Sequence, residues 1–175
     1  MDKRNGLDVV IPVNIDANWL TKAEITEAIL NQYTNYGFTR FMLSVPIGGW
    51  RSIGYPPQEF FVEKAMLFKE IKEELLPYGI ELGWWNCLTI KSGATEGFQP
   101  IVQPDGRMHP FANCPFGENF KTRFAGDIAL FAKIAKPAFI FFEDDYSLAA
   151  ANGCYCELHL KEFEKRYGIH YTRDE

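Results

Sequence analysis

The sequence predicts an α/β fold of the (β/α) TIM-barrel type with about four βα units. Continuous apolar strands alternate with amphipathic helices four times, which indicates a parallel sheet covered by helices. An eightfold barrel typically needs ~250 residues, so four units in 175 residues match about half of one. The competing flavodoxin-like fold normally carries a glycine-rich phosphate loop after its first strand, and residues 12–19 contain no glycine. We therefore expect residues 1–175 to form a single domain, the N-terminal half of a (β/α)8 barrel.

Local signals place each of the eight predicted elements. The predicted strands are residues 7–15, 41–45, 80–85 and 138–142. The predicted helices lie between Thr21 and Gly37, between Pro57 and Pro77, from Phe120 to Ala135, and from Glu157 to Tyr167. The first begins at a Thr21-x-x-Glu24 capping box and ends at Gly37. The last should turn Leu160, Phe163 and Tyr167 inward and end at Gly168.

The segment of residues 86–117, between the third strand and the third helix, reads as loop. It is interrupted by three glycines and four prolines before Gly117, including a Pro104-Asp105-Gly106 turn signal.

Composition and charge exclude several classes of protein. Hydrophobic residues make up 47% of the chain, which is typical of a globular core rather than a disordered chain. The net charge is −5 and no basic stripe occurs, so no nucleic-acid partner is expected. The N-terminal apolar run, residues 9–11, is too short for a signal sequence or a membrane span. We expect a cytoplasmic protein with no membrane partner.

The four cysteines do not form the pattern of a disulfide framework, and reduced, mostly buried thiols are expected. Cys154-x-Cys156-x-x-His159 has a shorter cysteine spacing than the usual zinc motifs, and no second cysteine pair follows. A site is conceivable only if the long loop brings Cys114 to this turn. The spacing therefore predicts no metal and no cofactor.

Polar and aromatic side chains recur at the carboxyl ends of the predicted strands, where parallel α/β folds place their working residues. The candidate substrate-binding residues are Asn14, Asp16, Trp50, Arg51, Trp85, Asn86, Asn113 and Tyr146. Trp84 and Trp85 are neighbours on one strand and point to opposite sides, so at most one of them lines the mouth of the sheet. A surface ion pair is an equal alternative for Arg51, and a helix-capping role for Asn113.

Glu143, Asp144 and Asp145 follow the apolar fourth strand directly and are the candidate catalytic residues. Three carboxylates crowded together repel one another, which keeps one of them protonated, the state that a general acid requires. The alternative is an acidic turn that caps a helix.

Residues 139–148, with their acidic triplet, are followed by Gly153-Cys-Tyr-Cys156 and a helix containing Glu162-Phe163. Together with Asn113-Cys114-Pro115, this segment resembles part of glycoside-hydrolase-like barrel proteins. The resemblance implies a relation to the large retaining glycosidase group, whose general acid follows strand four in an Asn-Glu pair. Asp144 would then stand at the acid position, and Glu143 where the Asn contacts the substrate 2-hydroxyl. The family nucleophile comes from strand seven, beyond the four units seen here.

The expected function is that of a glycoside hydrolase, or a fragment of one, that acts on neutral glycosides through its strand-end carboxylates. The alternative is a carbohydrate-binding half-barrel without turnover that self-associates, because four strands leave sheet edges and an apolar face exposed. The expected partners are therefore a carbohydrate ligand and either a second copy of the chain or a missing C-terminal half.

Overall fold

The computed structural model describes residues 9–14, 21–45, 54–143 and 153–172. They form a mixed α/β structure with a four-stranded parallel sheet and a separate two-stranded antiparallel sheet. In chain order the elements are β1 (Ile11–Asn14), α1 (Lys22–Tyr36), β2 (Arg40–Val45), α2 (Gln58–Leu75), a 3₁₀ turn (Leu76–Tyr78), β3 (Glu81–Asn86), β4 (Pro100–Val102), β5 (Met108–Asn113), α3 (Glu118–Ala135), β6 (Ile140–Phe142) and α4 (Glu157–Tyr167). No helix among these residues has the length and apolar character needed to span a membrane.

The chain divides into two compact units. The first comprises residues 1–47, 59–87 and 130–142, and the second comprises residues 48–58, 88–129 and 143–175.

The parallel sheet of the first unit has the order β1-β2-β3-β6, so its strands lie side by side in the order of the chain. All three pairings are parallel. This order differs from the 2-1-3-4-5 order of flavodoxin-like sheets, the alternative considered from the sequence. The four predicted strands are present with bounds that differ from the predicted ones by at most four residues.

The helices of the first unit pack against one another and against one face of this sheet. Thr26 on α1 hydrogen-bonds to Glu74 on α2 at 3.3 Å. Phe68 on α2 meets Phe131 on α3 edge to face, and Phe131 stacks on Trp84 of β3 with ring centroids 3.9 Å apart. The two ring contacts join the buried Phe68, Phe131 and Trp84 into an apolar core on the Trp84 side of the sheet.

Helix boundaries follow the predicted capping chemistry. Thr21 and Glu24 form both halves of the capping box, and Gly37 ends α1 in the left-handed conformation at φ 70°. Helix α4 has the predicted bounds and ends at Gly168. The expectation that its Leu160, Phe163 and Tyr167 turn inward was wrong, because no residue of α4 is buried.

The prediction that residues 86–117 are loop throughout was also wrong, because β4 and β5 pair there as an antiparallel hairpin. The Pro104-Asp105-Gly106 signal does mark a turn. Gly106 adopts φ 82°, and the Asp105 carboxylate accepts a hydrogen bond from the Arg107 backbone N–H. The flanking strands are short, and each contains a proline, Pro100 or Pro110. Because proline is uncommon within strands, the sequence did not indicate strands here.

The second unit is organised around this hairpin. Residues 90 and 93 bond to the backbone of β5, and Tyr155 N–H donates to Val102 O of β4 at 2.8 Å. Tyr55, Phe98 and Phe120 form an aromatic cluster with ring centroids 5.4–6.3 Å apart. Nearby, the fully buried Asp127 carboxylate pairs with Arg123 Nε at 2.7 Å.

Candidate functional site

The carboxyl edge of the parallel sheet carries two of the predicted amide residues. Asn14 ends β1 in register with Ser44, and Asn86 ends β3 in register with Val45 and Phe142. The side chain of Asn86 is fully buried. The sheet register thus brings the ends of its four strands to one edge, as expected for a parallel sheet.

The two neighbouring tryptophans have different environments. Trp84 is completely buried, and its indole N–H donates to Val45 O at 2.9 Å. Trp85 is half-buried on the opposite face and meets Phe141 edge to face, with ring centroids 5.9 Å apart. Trp84 therefore belongs to the core, and Trp85 is the tryptophan of this pair that lies on the opposite, less buried face.

The face that carries Trp85 is more open than the face that packs on the helices. Phe141 on β6 is 49% exposed, and Met42 on β2 is half-buried. Farther from the carboxyl edge, the Arg40 guanidinium lies over the Phe139 ring, 4.9 Å from its centroid. Arg40 also pairs with Glu81 at 2.8 Å. This face therefore combines exposed aromatic rings near the strand ends with an ion pair at the other end.

Glu143 is half-buried and is the first residue after β6. The other two members of the acidic triplet lie outside the described residues. The same holds for four candidate ligand-binding residues. The candidates outside the described residues are Asp144, Asp145, Asp16, Trp50, Arg51 and Tyr146.

Asn113 ends β5 in the second unit and is buried. Its side-chain amide nitrogen donates to Ser92 Oγ at 3.1 Å and to Gly93 O at 3.0 Å. These bonds hold the chain that precedes the hairpin against β5. The geometry gives Asn113 a structural task and no helix-capping task, since the next helix begins at Glu118, and its ligand-binding role stays a prediction.

A cluster of three cysteines and one histidine occupies the second unit. Cys114 follows β5, Cys154 and Cys156 lie in the turn before α4, and His159 lies in the first turn of α4. The four potential ligand atoms all lie within 4.8 Å of one another. We refer to Cys114, Cys154, Cys156 and His159 as the Cys3His cluster.

The distances within the Cys3His cluster are short. Cys114 Sγ lies 3.6 Å from Cys156 Sγ and 3.5 Å from His159 Nδ1. Cys156 Sγ lies 3.2 Å from the same nitrogen. Cys114, Cys154 and Cys156 are buried thiols that form no disulfide, as expected from the number and spacing of the cysteines. The His159 ring stacks on Phe116 with centroids 4.2 Å apart, which fixes the direction of Nδ1.

Ionisation within the cluster is uneven. A hydrogen bond to Cys154, together with burial, raises the pKa of the Cys114 thiol. The same hydrogen bond is the main cause that lowers the pKa of Cys154 to about 5. Burial raises the pKa of Cys156. One thiolate is therefore favoured among three thiols, and thiolates are the form in which cysteines ligate metals.

Comparisons with protein-family models, with curated proteins and with solved structures yielded no match to this chain.

The Cys3His cluster was not expected from the sequence, which predicted no metal ligands. The Cys154-x-Cys156-x-x-His159 spacing was noted, but the fourth member lies 40 residues before Cys154. The missing information was the β4–β5 hairpin, because this hairpin ends at Cys114 and its β4 strand binds the turn through Tyr155.

Proposed function

We propose that this chain is a carbohydrate-active protein, a glycoside hydrolase or part of one, that acts on neutral glycosides through the carboxylates after β6. The supporting observation is that β6, a strand of a parallel sheet, ends at Phe142 and is followed at once by Glu143. Residues directly beyond the carboxyl ends of parallel strands are where α/β enzymes place their reactive groups. Asp144 and Asp145 come next in the sequence.

The proposal includes a barrel architecture in which this chain supplies four βα units. Two features favour it. The strand order follows the chain, and α1, α2 and α3 are linked by contacts on the Trp84 side of the sheet. In a barrel the opposite face becomes the interior, which is filled by layers of side chains. Met42 would form part of these layers, whereas Trp85 and Phe141, one residue before the ends of their strands, would line the mouth of the barrel.

The character of the strand ends favours a neutral sugar over a phosphorylated one. Aromatic rings such as Trp85 can stack on the apolar face of a sugar, while amides and carboxylates bind its hydroxyl groups. Phosphate sites instead use backbone N–H groups at helix N-termini or clustered Arg and Lys. When the candidate catalytic and ligand-binding residues are counted together, Arg51 is the only cation beside the carboxylates of Asp16, Glu143, Asp144 and Asp145, so the balance of charge is negative.

In the proposed reaction Asp144 is the general acid that protonates the oxygen of the leaving group. Glu143 contacts the substrate, and Asp145 adds to the negative field that keeps the acid protonated. Glycoside hydrolysis also needs a second carboxylate on the other side of the scissile bond, as nucleophile or base. By the resemblance to retaining glycosidases, that carboxylate would come from a further βα unit.

The test is the substitution Asp144→Asn in the protein as its gene encodes it, assayed on a panel of chromogenic aryl glycosides. We expect turnover to fall by about 10²–10⁴-fold, the usual contribution of a general acid, with little change in melting temperature. Glu59→Gln, at an exposed position in the first turn of α2, is the control and should keep wild-type turnover. Normal turnover by Asp144→Asn would show that Asp144 is not the acid.

A second candidate function is sugar binding without turnover by a self-associating half-barrel. The 49% exposure of Phe141 beside the half-buried Trp85 favours it, because a second copy of the chain could cover these rings. Light scattering should then give a mass above the 20.1 kDa of one chain. A monomer that binds no hydrophobic dye would contradict this second candidate.

A further inference from the structure

The Cys3His cluster has the donor set and the spacing of a closed zinc site. In tetrahedral zinc sites Zn–S bonds are ~2.3 Å and Zn–N bonds ~2.0–2.1 Å, so ligand atoms lie about 3.5–3.8 Å apart. The Cys114–Cys156, Cys114–His159 and Cys156–His159 separations are 3.6, 3.5 and 3.2 Å, and all four ligand atoms lie within 4.8 Å of one another. A disulfide needs sulfur atoms ~2.05 Å apart, far closer than the 3.6 Å between Cys114 and Cys156.

We propose that Cys114, Cys154, Cys156 and His159 bind one Zn²⁺ ion as a structural site, with His159 ligating through Nδ1. Three thiolates and one imidazole suit zinc, whereas hard ions such as Mg²⁺ and Ca²⁺ take oxygen ligands. Four protein ligands complete a tetrahedron and leave no position for a reacting water. The role is therefore structural, and the inference does not depend on the proposed function.

The surroundings of the cluster favour a bound metal over three separate thiols and one imidazole. The three cysteines are buried, so without a metal three thiols and one imidazole would lie close together out of water. The Phe116 ring holds the imidazole plane, which directs Nδ1 at the sulfur atoms. A cavity of about 560 Å³ is lined by Cys154 and His159, which gives an ion a route to the site.

Helix α4 supplies an independent reason for a metal at this position. It has 11 residues, none of them buried, and its N-cap Cys156 makes no side-chain capping bond. An isolated helix of this length is marginal in water, because helix nucleation is unfavourable. A zinc ion that binds Cys156 and His159 fixes the first turn of α4, and Cys114 connects that turn to the end of β5.

The test begins with the metal content of the full chain purified without chelators, measured by plasma mass spectrometry. We expect one zinc ion per chain. After zinc removal, Co²⁺ should restore a visible spectrum with the intense bands of a tetrahedral site and thiolate charge-transfer bands in the near ultraviolet. Zinc removal should lower the melting temperature by more than about 10 °C, because metal binding is coupled to folding.

Two variants and two matched controls assign the ligands. Cys114→Ser and His159→Asn should each lower zinc affinity by at least about 10-fold and change the Co²⁺ spectrum. Cys87→Ser and His170→Asn remove a cysteine and a histidine outside the cluster and should bind zinc as the wild type does.

The wild-type Co²⁺ spectrum keeps the proposal testable if the ligand variants fail to fold. A chain that folds without metal and gives no thiolate charge-transfer band with Co²⁺ would overturn it. A disulfide among the three cluster cysteines in freshly purified protein would overturn it as well. So would loss of zinc from the Cys87→Ser control together with retention in Cys114→Ser.

Discussion

Gly83 on β3 is the position where a single methyl group tests the arrangement of the open sheet face. A Cβ atom built at Gly83 would lie 2.3–2.6 Å from three atoms of the Phe139 ring. Ordinary contacts between carbon atoms are about 3.5–4.0 Å, so the ring would have to move by more than about 1 Å. The same ring lies under the Arg40 guanidinium. Gly83→Ala therefore displaces a residue that has its own partner.

The expected cost is the sum of two effects. Overpacking in a well-packed region destabilises by about 1–3 kcal/mol. Loss of the Arg40–Phe139 contact adds about 0.5–1 kcal/mol. We expect Gly83→Ala to lower the free energy of unfolding by about 1.5–4 kcal/mol, which corresponds to a melting temperature roughly 3–16 °C lower for a chain of this size.

Chemical denaturation of Gly83→Ala measures this loss, with Gly126→Ala as the matched control. Gly126 lies within α3 with no atom within 4 Å of its added Cβ. Alanine in a helix is favoured over glycine, so Gly126→Ala should stabilise by up to about 1 kcal/mol. The same methyl group thus has opposite effects at the two glycines.

Phe139→Ala removes the obstacle, so Gly83→Ala should be nearly neutral in that background. A Gly83→Ala variant as stable as the wild type, or an equal loss in the Phe139→Ala background, would show that Phe139 does not cover Gly83. The description of the open sheet face would then be wrong.

Two further predictions concern ion pairs. Asp127→Asn removes the carboxylate charge that pairs with Arg123 and that accepts a hydrogen bond from Gln58. The free energy of unfolding, measured by urea denaturation, should fall by about 1–3 kcal/mol. No measurable loss of stability would contradict the pairing. The Lys22 ammonium holds the pKa of Glu74 below its usual 4.5. The pair therefore stabilises the folded state at pH values above 4.5, and this stabilisation is lost as the pH falls through the lowered pKa of Glu74. In Glu74→Gln, the free energy of unfolding should therefore fall less steeply as the pH is lowered below 4.5. A pH dependence equal to that of the wild type would exclude this contribution.

Much of the first unit could be predicted from the sequence because its signals are local. The Thr21–Glu24 capping box sets the start of α1, and Gly37 sets its end. Continuous apolar runs mark the strands. The strand alternation also predicted that Trp84 and Trp85 point to opposite faces. Which of them faces the helices could not be predicted, since that depends on the contact of Phe131 with Trp84.

The second unit was harder to predict because its contacts join distant parts of the chain. The β4–β5 hairpin is short and contains prolines, so it resembles loop in the sequence. Helix α4 was predicted with correct bounds, but its spacing of Leu160, Phe163 and Tyr167 suggested a buried face that it does not have. The Cys3His cluster depends on both elements, and for that reason the spacing of its residues alone predicted no metal.

The central claim is that the carboxyl edge of the parallel sheet binds neutral glycosides, and a titration followed by NMR tests it most directly. Trp85 is half-buried on the open face and its indole Nε1 is buried, so its ring-proton signals report on that face, and those of the fully buried Trp84 are an internal control. Neutral glycosides and oligosaccharides should shift the Trp85 signals saturably and leave those of Trp84 nearly unchanged, whereas sugar phosphates should shift neither. Saturable binding of a sugar phosphate, with no response to any neutral glycoside, would contradict the proposed function.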